Sequence, residues 1–186
     1  LNNEYRGIYS LPEAMDRKEL KLKKYDDKNQ EFHGQLWKVS SWDKATFWDI
    51  DKDYDNTQET WHAFETKYPD IDDVNPTDYS PLYEAIDFVV NSNDETFKKE
   101  VGDYFDIPVL IDYQLFQETL KPVDNNGKNM YWGIYDVAES QKLTLAIWDL
   151  DASVGQDWHC STPLHPDYVL PNTDLGVKDG FNLYHR

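Results

Sequence analysis

The chain has 186 residues, and its 36 acidic against 18 basic side chains give a formal net charge of −18. A negative field of this size disfavours nucleic acid and anionic membrane surfaces as partners, and it suits divalent metals and basic protein substrates. The single cysteine, Cys160, excludes an intramolecular disulfide and a cysteine zinc site. No apolar run approaches the roughly 20 residues of a membrane span. The aromatic content of 15% argues against a disordered acidic chain.

The first part of the chain is predicted to consist mainly of strands. Residues 4–15 (EYRGIYSLPEAM) have the composition of a strand, and residues 34–40 (GQLWKVS) alternate apolar and polar side chains as a strand does. Between them, residues 16–25 are predicted to form a short charged helix or an exposed strand. Residues 41–80 show weak periodicity, so we expect a long excursion with a helical piece near residues 57–66.

The second part is predicted to be helical and then to form a β-hairpin. Apolar residues at helical spacing predict helices over residues 80–92 and 93–105, and the strongly apolar run 107–120 predicts a buried helix. Residues 130–137 and 143–150 (MYWGIYDV and LTLAIWDL) predict the hairpin. Strands followed by helices and then a hairpin, without βαβ alternation, predict an α+β fold.

The loop before the hairpin carries the first candidate catalytic pair. Asp124 is followed by Asn129 five residues later. Phosphoryl transfer requires a carboxylate that orients or deprotonates the attacking hydroxyl, and an amide oxygen near the same point can hold a metal ion. The alternative is an ordinary turn, because Asp-Asn-Asn-Gly is a common turn composition.

The second strand of the hairpin delivers the other candidate carboxylates, Asp149 and Asp151. Hard oxygen ligands of this kind suit Mg²⁺, Mn²⁺ or Ca²⁺. The apolar residues just before Asp149 predict a partly buried approach, in which an unpaired carboxylate would be costly unless a cation were near. The alternative is a pair of turn carboxylates without a ligand.

Other side chains carry weaker signals. Lys38 lies between apolar neighbours in a predicted strand, where it could reach a phosphate, pair with Glu13 or extend to solvent. His159 and His165 follow the Asp pair and are candidates for acid–base work or metal binding, although most loop histidines do neither. The seven tryptophans favour a packed core over a carbohydrate-binding platform.

Taken together, these segments resemble the CotH kinase family, the spore-coat-protein-H-like atypical protein kinases. The matching segments are EYRGIYSLPEAMD, GQLWKVSSWD, LIDYQLFQETL, VDNNGKNMYWGIYD and LAIWDLDASVG. The last two are the most specific, because the family's order of Asp, then Lys-Asn-aromatic, then Trp-Asp-x-Asp and Gly recurs in them at similar spacing. The resemblance covers nearly the whole chain and the later part of the family domain.

The resemblance implies a protein-kinase-like α+β fold, in which residues 1–186 form a single domain fragment whose N-terminal portion is missing. Residues 1–79 would supply small-lobe strands and an excursion, and residues 80–186 a helical lobe with the catalytic loop and a metal-binding hairpin. It also implies ATP with Mg²⁺ or Mn²⁺ as cofactors, and transfer of phosphate to Ser or Thr of a protein substrate. The acidic charge makes a basic substrate the natural partner. Family members are linked to spore coats or to the cell surface, which implies an extracytoplasmic location.

Carried over by position, Asp124 matches the catalytic aspartate of the family and Asn129 its metal-binding asparagine. Asp149 or Asp151 matches the metal-binding aspartate that the strand delivers. Glu13 falls in the family's Gly-x-Tyr-x-x-x-Glu pattern, where it would help to order the site. Lys38 is not carried over from the family, and its place in the predicted strand alone makes it the candidate contact to the nucleotide phosphates.

The chain also departs from the usual kinase pattern. It has no glycine-rich phosphate loop, and Pro122 and Val123 stand where His-Arg commonly precedes the catalytic Asp. One alternative is therefore a catalytically degenerate, kinase-like surface module that binds metal, glycan or a partner protein. The other is a glycosidase, which needs two carboxylates at a fixed separation across a sugar-sized cleft, and nothing in the sequence pairs them in that way.

Overall fold

The computed structural model describes residues 15–41, 47, 49–51, 53–74, 76–125, 127–155 and 183. Within these ranges the elements follow in the order β1 Gln35–Val39, β2 Thr60–Trp61, β3 Phe64–Tyr68, α1 Ser80–Asn91, α2 Asp94–Tyr104, α3 Ile107–Leu120, β4 Met130–Ile134 and β5 Thr144–Ile147. This combination of helices with an antiparallel sheet confirms the predicted α+β fold. No helix among the described residues is both long and apolar enough to cross a bilayer.

The strands form a five-stranded antiparallel sheet in the order β2-β3-β1-β4-β5. β1 pairs with β4 so that Lys38 lies opposite Tyr131, and β4 pairs with β5 so that Met130 lies opposite Ile147. The end of β1, the start of β4 and the end of β5 therefore share one end of the sheet. The sheet draws strands from both sides of residue 80, and the division of the chain into two lobes near that residue stays a prediction.

The main core covers one face of the sheet and is rich in aromatic side chains. Trp37 and Trp132 lie opposite each other on that face, and both are buried. The Phe47 ring stacks on Trp132 with the ring centroids 5.2 Å apart. Leu82 and Ile86 of α1 are buried in the same cluster. The prediction that tryptophans pack in the core is confirmed for Trp37 and Trp132.

The helical piece predicted near residues 57–66 is wrong, because this segment forms β2, a tight turn and part of β3. Phe64 and Thr66 are buried, whereas the residues that follow each of them are more exposed. Alternation of this kind stabilises a strand with one face on the core. His62 takes a left-handed conformation, with φ of 61°, between the two strands. The prediction for residues 16–25 is also wrong, since these residues form a turn and irregular chain instead of a helix or a strand.

The predicted helix over residues 107–120 is confirmed as α3, but the prediction that it is buried is wrong. Tyr113 and Gln117 are buried, whereas Ile111 and Leu115 are 56% and 61% exposed. Residues four apart lie on the same side of a helix. α3 therefore packs with one narrow stripe, and that stripe contains the polar groups of Tyr113 and Gln117.

A buried carboxylate ties the chain before β1 to the chain after β4. Asp136 accepts a hydrogen bond from Lys23 Nζ at 2.6 Å and one from the backbone N–H of Ala138 at 3.1 Å. The Nδ1 atom of His33 lies 2.8 Å from its Oδ1. Burial raises the pKa of Asp136, but the hydrogen bonds from Lys23 and His33 outweigh it and hold the pKa at about 2, below its ordinary value of 3.8.

We expect Asp136→Asn to lower the free energy of unfolding at neutral pH by about 1.5–3 kcal/mol, the range for hydrogen bonds to charged groups. Because the folded-state pKa is depressed, the carboxylate's contribution is fully present above pH 3.8 and is lost as the pH falls through about 2. Urea unfolding at pH 7 and pH 2 should therefore show a difference between wild type and variant that shrinks in acid. The exposed Asp103→Asn should change the free energy by less than about 0.5 kcal/mol at both pH values. A difference that stays constant with pH would contradict this account.

Candidate active site

The loop of residues 122–129 lies at the end of the sheet where β4 begins and β5 ends. The backbone N–H of Val123 donates to the carbonyl of Ala152 at 3.0 Å, and the backbone N–H of Trp148 donates to the carbonyl of Asn129 at 2.9 Å. These two bonds hold both ends of the loop against the segment that leaves β5. The candidate residues of the loop and of the strand end are thus brought to one place by the backbone.

Asn125 fixes the interior of this loop, and the sequence analysis missed it. Its side chain is buried, and its Nδ2 donates to the carbonyl of Asn129 at 2.9 Å and to that of Trp148 at 2.7 Å. Its own carbonyl accepts from the Tyr113 hydroxyl and from Gln117 Nε2, both at 2.6 Å. One residue therefore connects α3, the start of β4 and the end of β5.

The loop brings the side chains of Asp124 and Asn129 together. Asn129 Nδ2 donates to Asp124 Oδ2 at 3.2 Å, and Lys128 Nζ lies 3.6 Å from the same oxygen. Asn129 is 8% exposed and takes a left-handed conformation, with φ of 51°, which asparagine tolerates better than most residues. The Asp124 side chain is 22% exposed. The arrangement is a partly accessible carboxylate that an amide orients and an ammonium group accompanies.

Asp149 and Asp151 follow the end of β5, and both are exposed. The partly buried approach predicted for Asp149 is confirmed, since Ile147 and Trp148 are half-buried, but Asp149 itself is exposed because the chain leaves the sheet directly after Ile147. An exposed carboxylate keeps its hydration, so burial alone does not require a cation beside it. Because Trp148 is bonded to Asn129 through the backbone, Asp149 leaves the sheet next to the loop.

The donor set of this region is oxygen-rich. Asn129 engages Asp124 through its Nδ2, so its amide oxygen is not used in that bond, and the carboxylates of Asp149 and Asp151 are the neighbouring hard donors. Within the described ranges no three or more His, Cys, Asp or Glu side chains are grouped so that they could hold a metal. Nucleotide-bound Mg²⁺ is commonly held by one or two carboxylates together with phosphate oxygens. The chemistry of the donors therefore fits an ion that arrives with a nucleotide.

Lys38 lies in β1, opposite Tyr131 of β4 and Glu65 of β3, and it is half-buried. Burial raises the pKa of the Tyr131 phenol, and the nearby Glu65 carboxylate raises it further. A contact between Lys38 and a phosphate stays a prediction. Four further predictions fall outside the part of the chain that the structure describes: Glu13, His159, His165, and the strand over residues 4–15 apart from its last residue.

Comparison with known proteins places the chain in a family. No curated protein matches it. A family model described as CotH kinase protein matches residues 1–180, a range that includes the loop of residues 122–129 and both carboxylates after β5. The match agrees with the motifs in the loop and at the strand end, and the helices and antiparallel sheet agree with a kinase-like α+β fold. The chain belongs to the CotH kinase family.

Proposed function

We propose that this chain carries the phosphotransfer residues of an atypical protein kinase, which moves the γ-phosphate of ATP to Ser or Thr of a protein substrate. Membership of the CotH kinase family supports a kinase-like function. The finer proposal is carried by the 3.2 Å hydrogen bond from Asn129 Nδ2 to Asp124 Oδ2, at the end of the sheet from which Asp149 departs. A carboxylate held by an amide, next to a carboxylate at a strand end, is the combination that phosphotransfer uses.

In this proposal Asp124 receives the proton of the substrate hydroxyl. The hydroxyl oxygen forms a bond to the γ-phosphorus while the bond from that phosphorus to the β–γ bridging oxygen breaks, and ADP leaves with the bridging oxygen. The hydrogen bond from Asn129 keeps the carboxylate in one orientation. Lys128 Nζ, at 3.6 Å from Asp124 Oδ2, adds positive charge beside the reacting oxygens.

Asn129, Asp149 and Asp151 are the residues that would hold Mg²⁺ or Mn²⁺. When bound, such an ion neutralises charge on the transferring phosphate. Two facts support metal dependence. The two aspartates are exposed, so they are open to an ion that arrives with its nucleotide, and the net charge of −18 repels a nucleotide polyanion that carries no cation.

We expect ATP to raise the melting temperature of the full-length protein only when Mg²⁺ or Mn²⁺ is present. At 100 times the Kd, a ligand stabilises the folded state by about 2.7 kcal/mol, which corresponds to about 5–10 °C for a chain of this size. The double variant Asp149→Ala/Asp151→Ala should lose this shift while the melting temperature without ligand stays nearly unchanged, because both side chains are exposed. The measurement is a thermal-shift titration with each metal.

The matched control is Asp72→Ala/Asp73→Ala, which removes two exposed carboxylates from a turn between β3 and α1. It should keep the full ATP and metal effect. Stabilisation by metal alone, with no effect of ATP in any variant, would reject the phosphotransfer proposal in favour of a degenerate surface-binding module.

A further inference from the structure

A pocket on the surface between α1 and α2 has a lining that suits a cationic side chain. Its volume is about 360 Å³, and its walls include Tyr83, Glu84, Asp87, Phe88 and Tyr104. None of these residues takes part in the candidate active site. The pocket combines carboxylates with aromatic rings, and each of the two groups has a separate attraction for a cation.

The carboxylates come from one helix. Glu84 and Asp87 are three residues apart on α1, so both side chains lie on the same side of the helix. Asn91 Nδ2 donates to Asp87 Oδ1 at 2.7 Å, which leaves Asp87 Oδ2 outside that bond. Among the described residues, no lysine, arginine or histidine is paired with either carboxylate. The pocket therefore holds two negative charges that a ligand can neutralise.

The aromatic rings of the wall are stacked on one another. The rings of Phe88 and Tyr104 are stacked with centroids 4.1 Å apart and an interplanar angle of 13°, and Phe97 stacks on Phe88 at 5.5 Å. Because Phe88 is buried between these rings, Tyr104 and Tyr83 are the aromatic side chains of the lining whose faces a guanidinium group can share while its N–H groups bond to the carboxylates.

We propose that this pocket is a docking site for an arginine side chain in an extended basic segment of a protein. That the docked protein is the phosphorylated substrate rests on the function proposed above, but the binding itself needs neither nucleotide nor metal. Charge favours this partner, because the chain carries a net charge of −18 and the pocket contributes two carboxylates that are not paired with a cationic side chain of the described residues. The pocket would thus recognise the substrate at a surface outside the candidate active site.

The position of the pocket sets a spacing rule for the substrate. The carbonyl of Tyr104 accepts from the backbone N–H of Leu143 at 2.8 Å, so the pocket adjoins the start of β5, whereas Asp149 follows its end. At about 3.3 Å per residue the four residues of β5 separate its two ends by about 10 Å, and the chain from Leu143 to Asp149 spans at most about 20 Å. An extended peptide covers these distances in about three to six residues. The docked arginine should therefore lie about three to six residues from the phosphorylated hydroxyl.

The test is a binding measurement without ATP or metal. A fluorescein-labelled peptide of glycine and serine with two adjacent arginines is titrated with the protein, and its anisotropy is followed. A second peptide carries citrulline, which has the shape of arginine without its charge. We expect the arginine peptide to bind about tenfold or more tightly than the citrulline peptide. The double variant Glu84→Gln/Asp87→Asn should weaken binding of the arginine peptide by a similar factor, because it loses the charge-assisted hydrogen bonds.

The control Asp72→Asn/Asp73→Asn removes the same number of charges at another surface, and it should change the affinity by less than about twofold. Equal weakening by both double variants would overturn the proposal, since the attraction would then be diffuse. Equal affinity for the two peptides on the wild-type protein would overturn it as well, and that comparison does not depend on how a variant folds. Because no nucleotide is present, failure of phosphotransfer would leave these results unaffected.

Discussion

Asp124→Asn is expected to lower the rate of phosphate transfer by about 10²–10⁴-fold, the range for the loss of a general base. The amide has the size of the carboxylate and can still accept from Asn129 Nδ2, so the loop keeps its shape, but it cannot take a proton from the attacking hydroxyl. Lys128 loses its charge partner, and because that pair is partly exposed the cost to stability should be at most about 1 kcal/mol. The measurement is the initial rate with ATP and metal in excess, together with the melting temperature.

Asp103→Asn is the control for this variant. Asp103 is exposed on α2, and α2 adjoins the start of β5, the end of the strand that lies away from Asp149. The control should retain the wild-type rate. A wild-type rate in Asp124→Asn would show that Asp124 is not the base. Loss of ATP and metal binding in that variant would instead move Asp124 into the metal-ligand set.

Asn125→Ala is expected to lower the free energy of unfolding by about 1.5–4.5 kcal/mol. The substitution leaves the carbonyl of Trp148 without its Asn125 donor, which costs about 1–3 kcal/mol for an unsatisfied group, and it removes one of two hydrogen bonds to the carbonyl of Asn129, which costs about 0.5–1.5 kcal/mol. Asp124 is the neighbouring residue, so the rate of phosphate transfer should fall as well, even at temperatures where the variant is folded. Urea unfolding and single-turnover kinetics measure the two effects.

Two further variants make this expectation specific. Asn125→Asp keeps the volume but directs a carboxylate at two carbonyl oxygens, so it should be at least as destabilising as alanine. Asn29→Ala removes an exposed asparagine whose Nδ2 bonds to Asp26, and it should cost less than about 0.5 kcal/mol. If Asn125→Ala cost no more than Asn29→Ala, Asn125 would not be the residue that holds the loop.

The sequence was sufficient to predict α1, α2, α3, β1 and the β4–β5 hairpin. Each helix repeats its apolar residues over several turns, and β1 and β4 are short runs in which nearly every residue is buried. The periodicity failed at β2, because two residues are too few to show an alternation, and at β3, because one of its buried positions is the polar Thr66. It also failed for the exposed side of α3. Apolar residues predict burial only on average, and Ile111 and Leu115 face solvent.

The candidate pair Asp124 and Asn129 could be proposed from spacing alone, because both lie in one short loop. Asn125 could not, because in the sequence it is one more residue of a turn. Its role depends on a hydrogen bond to Trp148, which is 23 residues away in the chain. The available signal was on α3, where Tyr113 and Gln117 place polar groups one turn apart on the buried stripe and therefore require a buried acceptor.

The exposure of Asp149 could not be predicted, for a related reason. The apolar residues before it correctly indicated a partly buried approach, but they did not show that Asp149 itself is exposed once β5 has ended at Ile147. Burial at a strand end depends on which segments pack beside it, and the sequence of the strand does not contain that information.

We propose that Asp124 and its neighbours transfer phosphate from ATP to a protein hydroxyl. The most direct measurement is to incubate the full-length protein with ATP labelled on its γ-phosphate, Mg²⁺ or Mn²⁺ and an arginine-rich protein, and to locate the label by mass spectrometry. Our account predicts metal-dependent phosphoserine or phosphothreonine, present with Asp103→Asn and absent with Asp124→Asn. Binding of ATP and metal without labelled protein and without formation of ADP would contradict it.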